Sequence, residues 1–412
     1  MTKARPSEKR PALDRASPRD DDVRREHDGP RLGRVLILSA SAGAGHLRAA
    51  QAIEGAFAET GAAREVRHVD TLDFTNPLFK RLYSRTYLEM VNKTPELLGW
   101  LYNHLDKPWK HARRRLAFEK LNTRPFVKLL ESYRPDVAIC THPLPAEIIS
   151  WLQSREKIKI RQAIVVTDFD VHAMWLCRHF ERYFVAIDET RVHLEALGVP
   201  AAKVTVSGIP IDPAFSIPKD RAAMRARLGL DPGMTTILLS AGGFGVGPID
   251  GLLANLRGLE HPAQVVAICG RNAELKDRLD AEAAGSPADA RVAIRPVGFT
   301  DAMDEYMAAS EILLGKAGGL TTSEALARGL AFVIVNPIPG QEERNSDHLL
   351  EEGVAIRCNN PPALAYKIDR LLDDPARLAS MRANALHLAR PRAAFDVVSK
   401  LLEPPPATLV GP

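Results

Sequence analysis

In Ser39-Ala40-Ser41-Ala42-Gly43-Ala44-Gly45-His46 a histidine stands directly after two glycines, between an apolar run and a helical pattern. The small residues let backbone approach a ligand, and the following helix offers unpaired N–H groups to it. An imidazole there feels the positive end of the helix dipole, which lowers its pKa and keeps it neutral, as a general base must be. A histidine that merely caps the turn would leave the same trace, and spacing alone does not choose between the two. Arg48 occupies the place of the third glycine of a dinucleotide fingerprint, so a nicotinamide cofactor is not indicated.

Two further glycine turns lie in the second half of the chain. Ser240-Ala241-Gly242-Gly243-Phe244-Gly245-Val246-Gly247-Pro248 follows an apolar run, and Pro248 suits a first helical position. So many glycines cost backbone entropy, which favours a closely packed ligand; a mobile loop is the other reading. Gly315-Lys316-Ala317-Gly318-Gly319 opens the helical segment Thr321–Leu326, whose N–H groups and dipole suit a diphosphate. Its spacing is not that of a Walker A loop, so ATP hydrolysis is not implied. Glu324, one turn in, could accept hydrogen bonds from a ribose or act as a partner of the helix dipole. The segment Pro337–Asn345 brings Gln341, Glu342 and Asn345 to a rigid turn that enters a helix, where they can read sugar hydroxyls. Asp168-Phe169-Asp170 with His172 looks like a metal-binding Asp-x-Asp, but so short a match is common by chance, and no bound metal or other cofactor is expected.

The elements that must position these residues alternate. Arg34–Ser39, Asp136–Thr141, Gln162–Thr167 and Tyr183–Ile187 read as buried strands, with helical patterns between them. The series resumes at Thr236–Ser240 and continues through Gln264–Cys269, Val292–Arg295, Glu311–Leu314 and Ala331–Val335. Alternation of this kind implies parallel sheets covered on both faces. Three prolines in Gly208–Pro218 mark the linker. The expected division is a disordered tail over 1–30, a first domain over 31–212, a second over 213–390 and a C-terminal segment over 391–412. Between Asp73 and Arg134 the rhythm breaks into an aromatic, helical insertion. Its Lys107–Lys120 stretch carries Lys107, Lys110, Arg113, Arg114, Arg115 and Lys120 against the single acid Glu119. With Trp100 and Trp109 alongside, that composition suits the interface of an anionic membrane.

A net charge of +4 over 412 residues is too small for a nucleic-acid stripe, and no nucleic-acid partner is expected. Cys140, Cys177, Cys269 and Cys358 are scattered without the spacing of a zinc or redox motif. No run approaches the length that crosses a bilayer and the N-terminus lacks a secretory apolar region, so membrane contact is expected to be peripheral.

Taken together, the motifs resemble the monogalactosyldiacylglycerol synthase and processive diacylglycerol glucosyltransferase family. The likeness runs from about Arg34 to Asp373. It is carried by Ser-x-Gly-x-Gly-His-x-x-Ala-Ala at 41–50, Thr-Asp at 167–168 with His172 and Trp175, Gly-Ile-Pro-Ile at 208–211, Lys-x-Gly-Gly at 316–319 with Glu324, and Pro-Gly-Gln-Glu with Asn345. The resemblance implies a GT-B fold, two Rossmann-like, doubly wound parallel-sheet α/β domains facing across a cleft. It implies an inverting transfer of glucose or galactose from a UDP-sugar to the 3-hydroxyl of 1,2-diacylglycerol, on the cytoplasmic face of the cell membrane. His46 would be the base. Gly242, Gly243, Gly318 and Gly319 would border the diphosphate, with Lys316 or Arg271 beside the leaving group. Glu324 would hold the ribose, Val297 and Phe299 would flank the uracil, and Gln341, Glu342 and Asn345 would face the sugar. Gly45, Asp168, His172 and Trp175 would line the cleft. An N-acetylglucosamine donor with another lipid-linked acceptor, a UDP-sugar epimerase, and a non-catalytic UDP-sugar or lipid sensor are the alternatives.

Overall fold

The uninterrupted apolar runs become strands because both faces of each are covered. The computed structural model describes residues 30–41, 43–76, 80, 95–108, 124–240, 249–287 and 289–406. The N-terminal domain contains β1 (Leu32–Ser39), α1 (Ala44–Thr60), β2 (Ala63–Asp70), α2 (Pro95–Leu105), α3 (Arg124–Tyr133), β3 (Val137–Cys140), α4 (Pro143–Ser154), β4 (Arg161–Val165), β5 (Arg182–Val185), α5 (Asp188–Ala196) and β6 (Val204–Val206). Its sheet is parallel with the order β2-β1-β3-β4-β5-β6. The order reverses between β1 and β3, and in such sheets ligands bind where the C-terminal strand ends diverge at that reversal.

The C-terminal domain repeats the plan. It contains α6 (Arg221–Leu228), β7 (Thr235–Ser240), α7 (Ile249–Leu256), β8 (Ala263–Gly270), α8 (Ala273–Ala284), β9 (Val292–Gly298), α9 (Met303–Ala309), β10 (Ile312–Gly315), α10 (Gly319–Ala327), β11 (Ala331–Val335), α11 (Gln341–Glu351), β12 (Ala355–Cys358), α12 (Leu364–Leu372) and α13 (Pro375–Leu388), and α14 (Ala393–Leu402) follows it. Here the parallel order is β12-β11-β10-β7-β8-β9, with its reversal between β7 and β10.

Strand parity sorts the core. Leu36 and Leu38 of β1 pack with Phe126, Leu129 and Ile149 of α3 and α4. Val35 and Ile37 point the other way, onto Ile53 and Phe57 of α1 and Val397, Val398 and Leu401 of α14. The last helix therefore returns to the first sheet. Roughly 1.5–3 kcal/mol for each fully buried aliphatic side chain is enough to hold it there. The outgoing and returning chains touch where they cross: a Cβ on Gly208, at φ +85°, would lie 2.4 Å from Arg390 Cβ. On the second sheet Leu238 faces a cluster that also takes in Phe169, Ile209 and Ile211 of the N-terminal domain, so the two domains share apolar packing.

Within the insertion the structure describes the helices α2 and α3. All of the expected tail over residues 1–30 except Pro30, and Trp109, Lys110, Arg113, Arg114 and Arg115, lie outside the described residues. Among the described residues no helix is long and apolar enough to cross a membrane.

Candidate active site

His46 sits in the first turn of α1 at the β1/β3 reversal. Its Nδ1 donates to the carbonyl oxygen of Thr141, just past β3, at 2.8 Å. A carbonyl can only accept, so the proton is on Nδ1 and the lone pair on Nε2. The Thr141 hydroxyl returns a bond to the His46 carbonyl at 2.9 Å, and Thr167 Oγ1 lies 2.9 Å from Nδ1. The ring is walled by His142, edge-on at 4.7 Å, and by Trp175 at 6.2 Å. Burial pushes the His46 pKa from its ordinary 6.5 down to about 4, and the Thr141 bond only partly offsets this. The neutral imidazole expected from the helix dipole is thus present, with burial as its main cause.

Facing it is the N-terminus of α10, from the other domain. A Cβ on Gly45 would lie 3.5 Å from the Leu320 side chain, so the first turns of α1 and α10 lie beside each other. Gly319 could be nothing larger, because a Cβ there would fall 2.1 Å from the carbonyl oxygen of Thr167. Glu324 is buried in α10, and Arg48 of α1 reaches it across the cleft, Nη2 to Oε1 3.4 Å. Burial raises the Glu324 pKa, and Arg48 opposes the rise. Glu342, at the start of α11, is raised by burial from 4.5 to about 7; the Ile338 N–H and the charge of Lys316 pull it back in part. Lys316, Gly318 and Glu342 are neighbours, since a Cβ on Gly318 would lie 3.5 Å from Glu342 Oε1.

The segment 167–169 stitches the domains together. Asp168 is buried and accepts from Gln341 Nε2 at 3.0 Å and Asn345 Nδ2 at 3.3 Å, while Phe169 N–H donates to Asn345 Oδ1 at 2.9 Å. Burial raises the Asp168 pKa against those two bonds. His172 is buried and serves as an anchor for the insertion: its Nδ1 accepts from Met174 N–H, and its Nε2 donates to the Tyr102 carbonyl at 2.9 Å. Arg344 of α11 completes that anchor, reaching Asp106 at 2.7 Å and Asp170 at 2.6 Å. With Asp168 and Asp170 spent in this way, the Asp-x-Asp segment is part of the domain seam. Among the described residues no group of three or more His, Cys, Asp or Glu is arranged to hold a metal.

Gly242 and Gly243 lie outside the described residues. Arg271, past the end of β8, lies over the ring of Phe299 at 5.2 Å, with Val297 at the end of β9. Trp100 is exposed on α2, as is Leu97, and stacks on His104. The sequence assigned no role to Thr141, His142, Thr167, Arg344 or the Arg48 contact, although Thr167 stands in the Thr-Asp motif. The first three follow the C-terminal ends of β3 and β4, and that position was the available signal.

The family model for monogalactosyldiacylglycerol (MGDG) synthase matches residues 46–211, and that for glycosyl transferases group 1 matches 220–387. The processive diacylglycerol beta-glucosyltransferase of Staphylococcus saprophyticus is 30% identical over 372 residues, 90% of this chain and 92% of that one. This chain belongs to the diacylglycerol glycosyltransferase family. Among solved structures, MurG of Acinetobacter baumannii aligns with a TM-score of 0.57 at 17% identity, over 90% of this chain and 99% of that one. Anabaena HepE in complex with UDP-glucose aligns with a TM-score of 0.51 at 14% identity, over 90% and 98%. Both share the two-domain GT-B fold.

Proposed function

We propose that this protein is an inverting glycosyltransferase that moves a hexose from a UDP-sugar to the 3-hydroxyl of 1,2-diacylglycerol, giving a β-linked monoglycosyldiacylglycerol. The observation that carries this reading is the His46 tautomer: Nδ1–H is committed to Thr141, so Nε2 is left as the acceptor on a ring in the first turn of α1, beside the first turn of α10. In the transfer, the lipid hydroxyl oxygen bonds to the anomeric carbon from the face opposite the diphosphate. Its proton passes to His46 Nε2, and the bond to UDP breaks with the electron pair leaving on the diphosphate. The α10 N-terminus and Lys316 stabilise that developing charge, with Arg271 on the β8 side, and no metal takes part. Glu324 holds the ribose, Gly318 and Gly319 border the diphosphate, a role the sequence motif extends to Gly242 and Gly243, and Gln341, Glu342 and Asn345 face the sugar.

The enzyme works as a peripheral protein on the cytoplasmic face of an anionic membrane. The exposed Leu97 and Trp100 of α2 support this, adjoining the basic sequence from Lys110 to Arg115. The test is incubation with anionic liposomes containing diacylglycerol and, separately, labelled UDP-glucose, UDP-galactose and UDP-N-acetylglucosamine. Label in the lipid phase with one of the two hexoses is expected. Label from UDP-N-acetylglucosamine alone would shift the reading to another lipid-linked acceptor, and UDP binding without transfer from any donor would make the protein a sensor.

A further inference from the structure

Thr167 is buried just past the C-terminal end of β4, and its two oxygens face different domains. Its hydroxyl oxygen lies 2.9 Å from His46 Nδ1, in its own domain. Its carbonyl oxygen meets the Cα of Gly319, where any Cβ would collide, at the first residue of α10. The next two residues are bonded to α11 through Gln341 and Asn345, so the peptide that carries Thr167 cannot shift without disturbing the donor-side domain. Thr141 fixes the His46 tautomer from within the N-terminal domain; Thr167 is the contact on the ring that also touches the facing domain.

We propose that Thr167 is a positioning residue that aims the His46 imidazole and ties that aim to the seating of α10 across the cleft. Both acceptors, the Thr141 carbonyl and the Thr167 hydroxyl oxygen, crowd the same Nδ1–H, so the ring plane is set by two points from two strands. The imidazolium that forms as the base takes its proton is stabilised by the same two oxygens. A ring held by Thr141 alone keeps its tautomer but gains freedom to swing about that one bond. When α10 is seated against the Thr167 carbonyl, the hydroxyl is held on the ring; when the domains part, that constraint relaxes. The base is then in line only when the diphosphate site is closed over it.

This inference rests on the transferase reading, and the experiment separates the two. Thr167→Val keeps the shape of the side chain and removes the oxygen, and Thr167→Ser keeps the oxygen. Transfer from the hexose donor that wild type uses is measured with diacylglycerol liposomes across pH, and UDP binding by calorimetry. Thr167→Val is expected to lower kcat by about tenfold, the worth of one lost hydrogen bond to a charged group, while UDP affinity stays within about twofold. Its acid limb should move to lower pH, because an acceptor that favours the imidazolium is gone. Thr167→Ser should recover most of the rate. An unchanged kcat in Thr167→Val, a Thr167→Ser no better than it, or a fall in UDP affinity matching the fall in kcat would each overturn the proposal. Failure of the wild type itself to transfer, or full activity in His46→Ala, would instead overturn the transferase reading.

Discussion

The carbonyl oxygen of Thr167 occupies the place where a side chain on Gly319 would begin: a Cβ built there lies 2.1 Å from it. The partner atom is backbone, held by the 167–169 hydrogen bonds, and cannot step aside cheaply. Gly319→Ala is therefore expected to cost about 1–3 kcal/mol of stability in denaturant titration, as overpacking does, and to slow transfer by parting the domains. Gly318→Ala is the control. Its Cβ would rest in ordinary contact 3.5 Å from Glu342, and its stability should stay within about 0.5 kcal/mol of wild type.

The burial of His46 fixes the acid side of the pH profile. A base must be neutral, and a pKa near 4 keeps it so through the whole neutral range. With UDP-sugar saturating, kcat should stay level from pH 8 down to roughly pH 5 and fall below that, where an exposed histidine would begin to fail near its ordinary value. The same shift costs stability in acid. The unfolded chain takes up the proton near 6.5 and the folded one only near 4, so this contribution is full above 6.5 and lost as pH falls toward 4.

Glu342 sets a second, opposite dependence. Its folded pKa is raised from 4.5 to about 7, so its contribution to stability is full below 4.5 and lost as pH rises through 7. Beside a donor diphosphate its charge is unfavourable. The KM for the UDP-sugar should rise between pH 6 and 8 in wild type and stay flat in Glu342→Gln, measured by initial rates at saturating acceptor.

Arg344 joins two carboxylates, Asp106 beyond α2 and Asp170 beyond β4. Arg344→Met leaves both without it in a partly buried setting, and a loss of about 1–3 kcal/mol is expected in denaturant titration. If α2 is a docking element, binding to anionic liposomes should weaken as well, as read by flotation.

The strands and turns that the chain buries most deeply were legible from sequence, because parallel strands covered on both faces are nearly pure apolar runs. β1, β3, β7, β8, β10 and β11 all show this. The strands that were not legible, β2, β6 and β12, lie at sheet edges, where one side lacks a neighbour and residues such as Arg64, Glu65 and Arg67 stay exposed. The site divides in the same way. His46, Gly319 and Glu324 announced themselves through glycine turns and helix starts. The roles of Thr141, Thr167 and Arg344 were not legible even where a motif contained them, because those roles arise from contacts made between strand ends and domains far apart in sequence.

The most direct test of the account is the paired behaviour of His46→Ala. With diacylglycerol liposomes and the hexose donor used by wild type, the variant should bind UDP as wild type does and lose transfer by about two to four orders of magnitude, the usual worth of a general base. A variant that still makes glycolipid at the wild-type rate would contradict it.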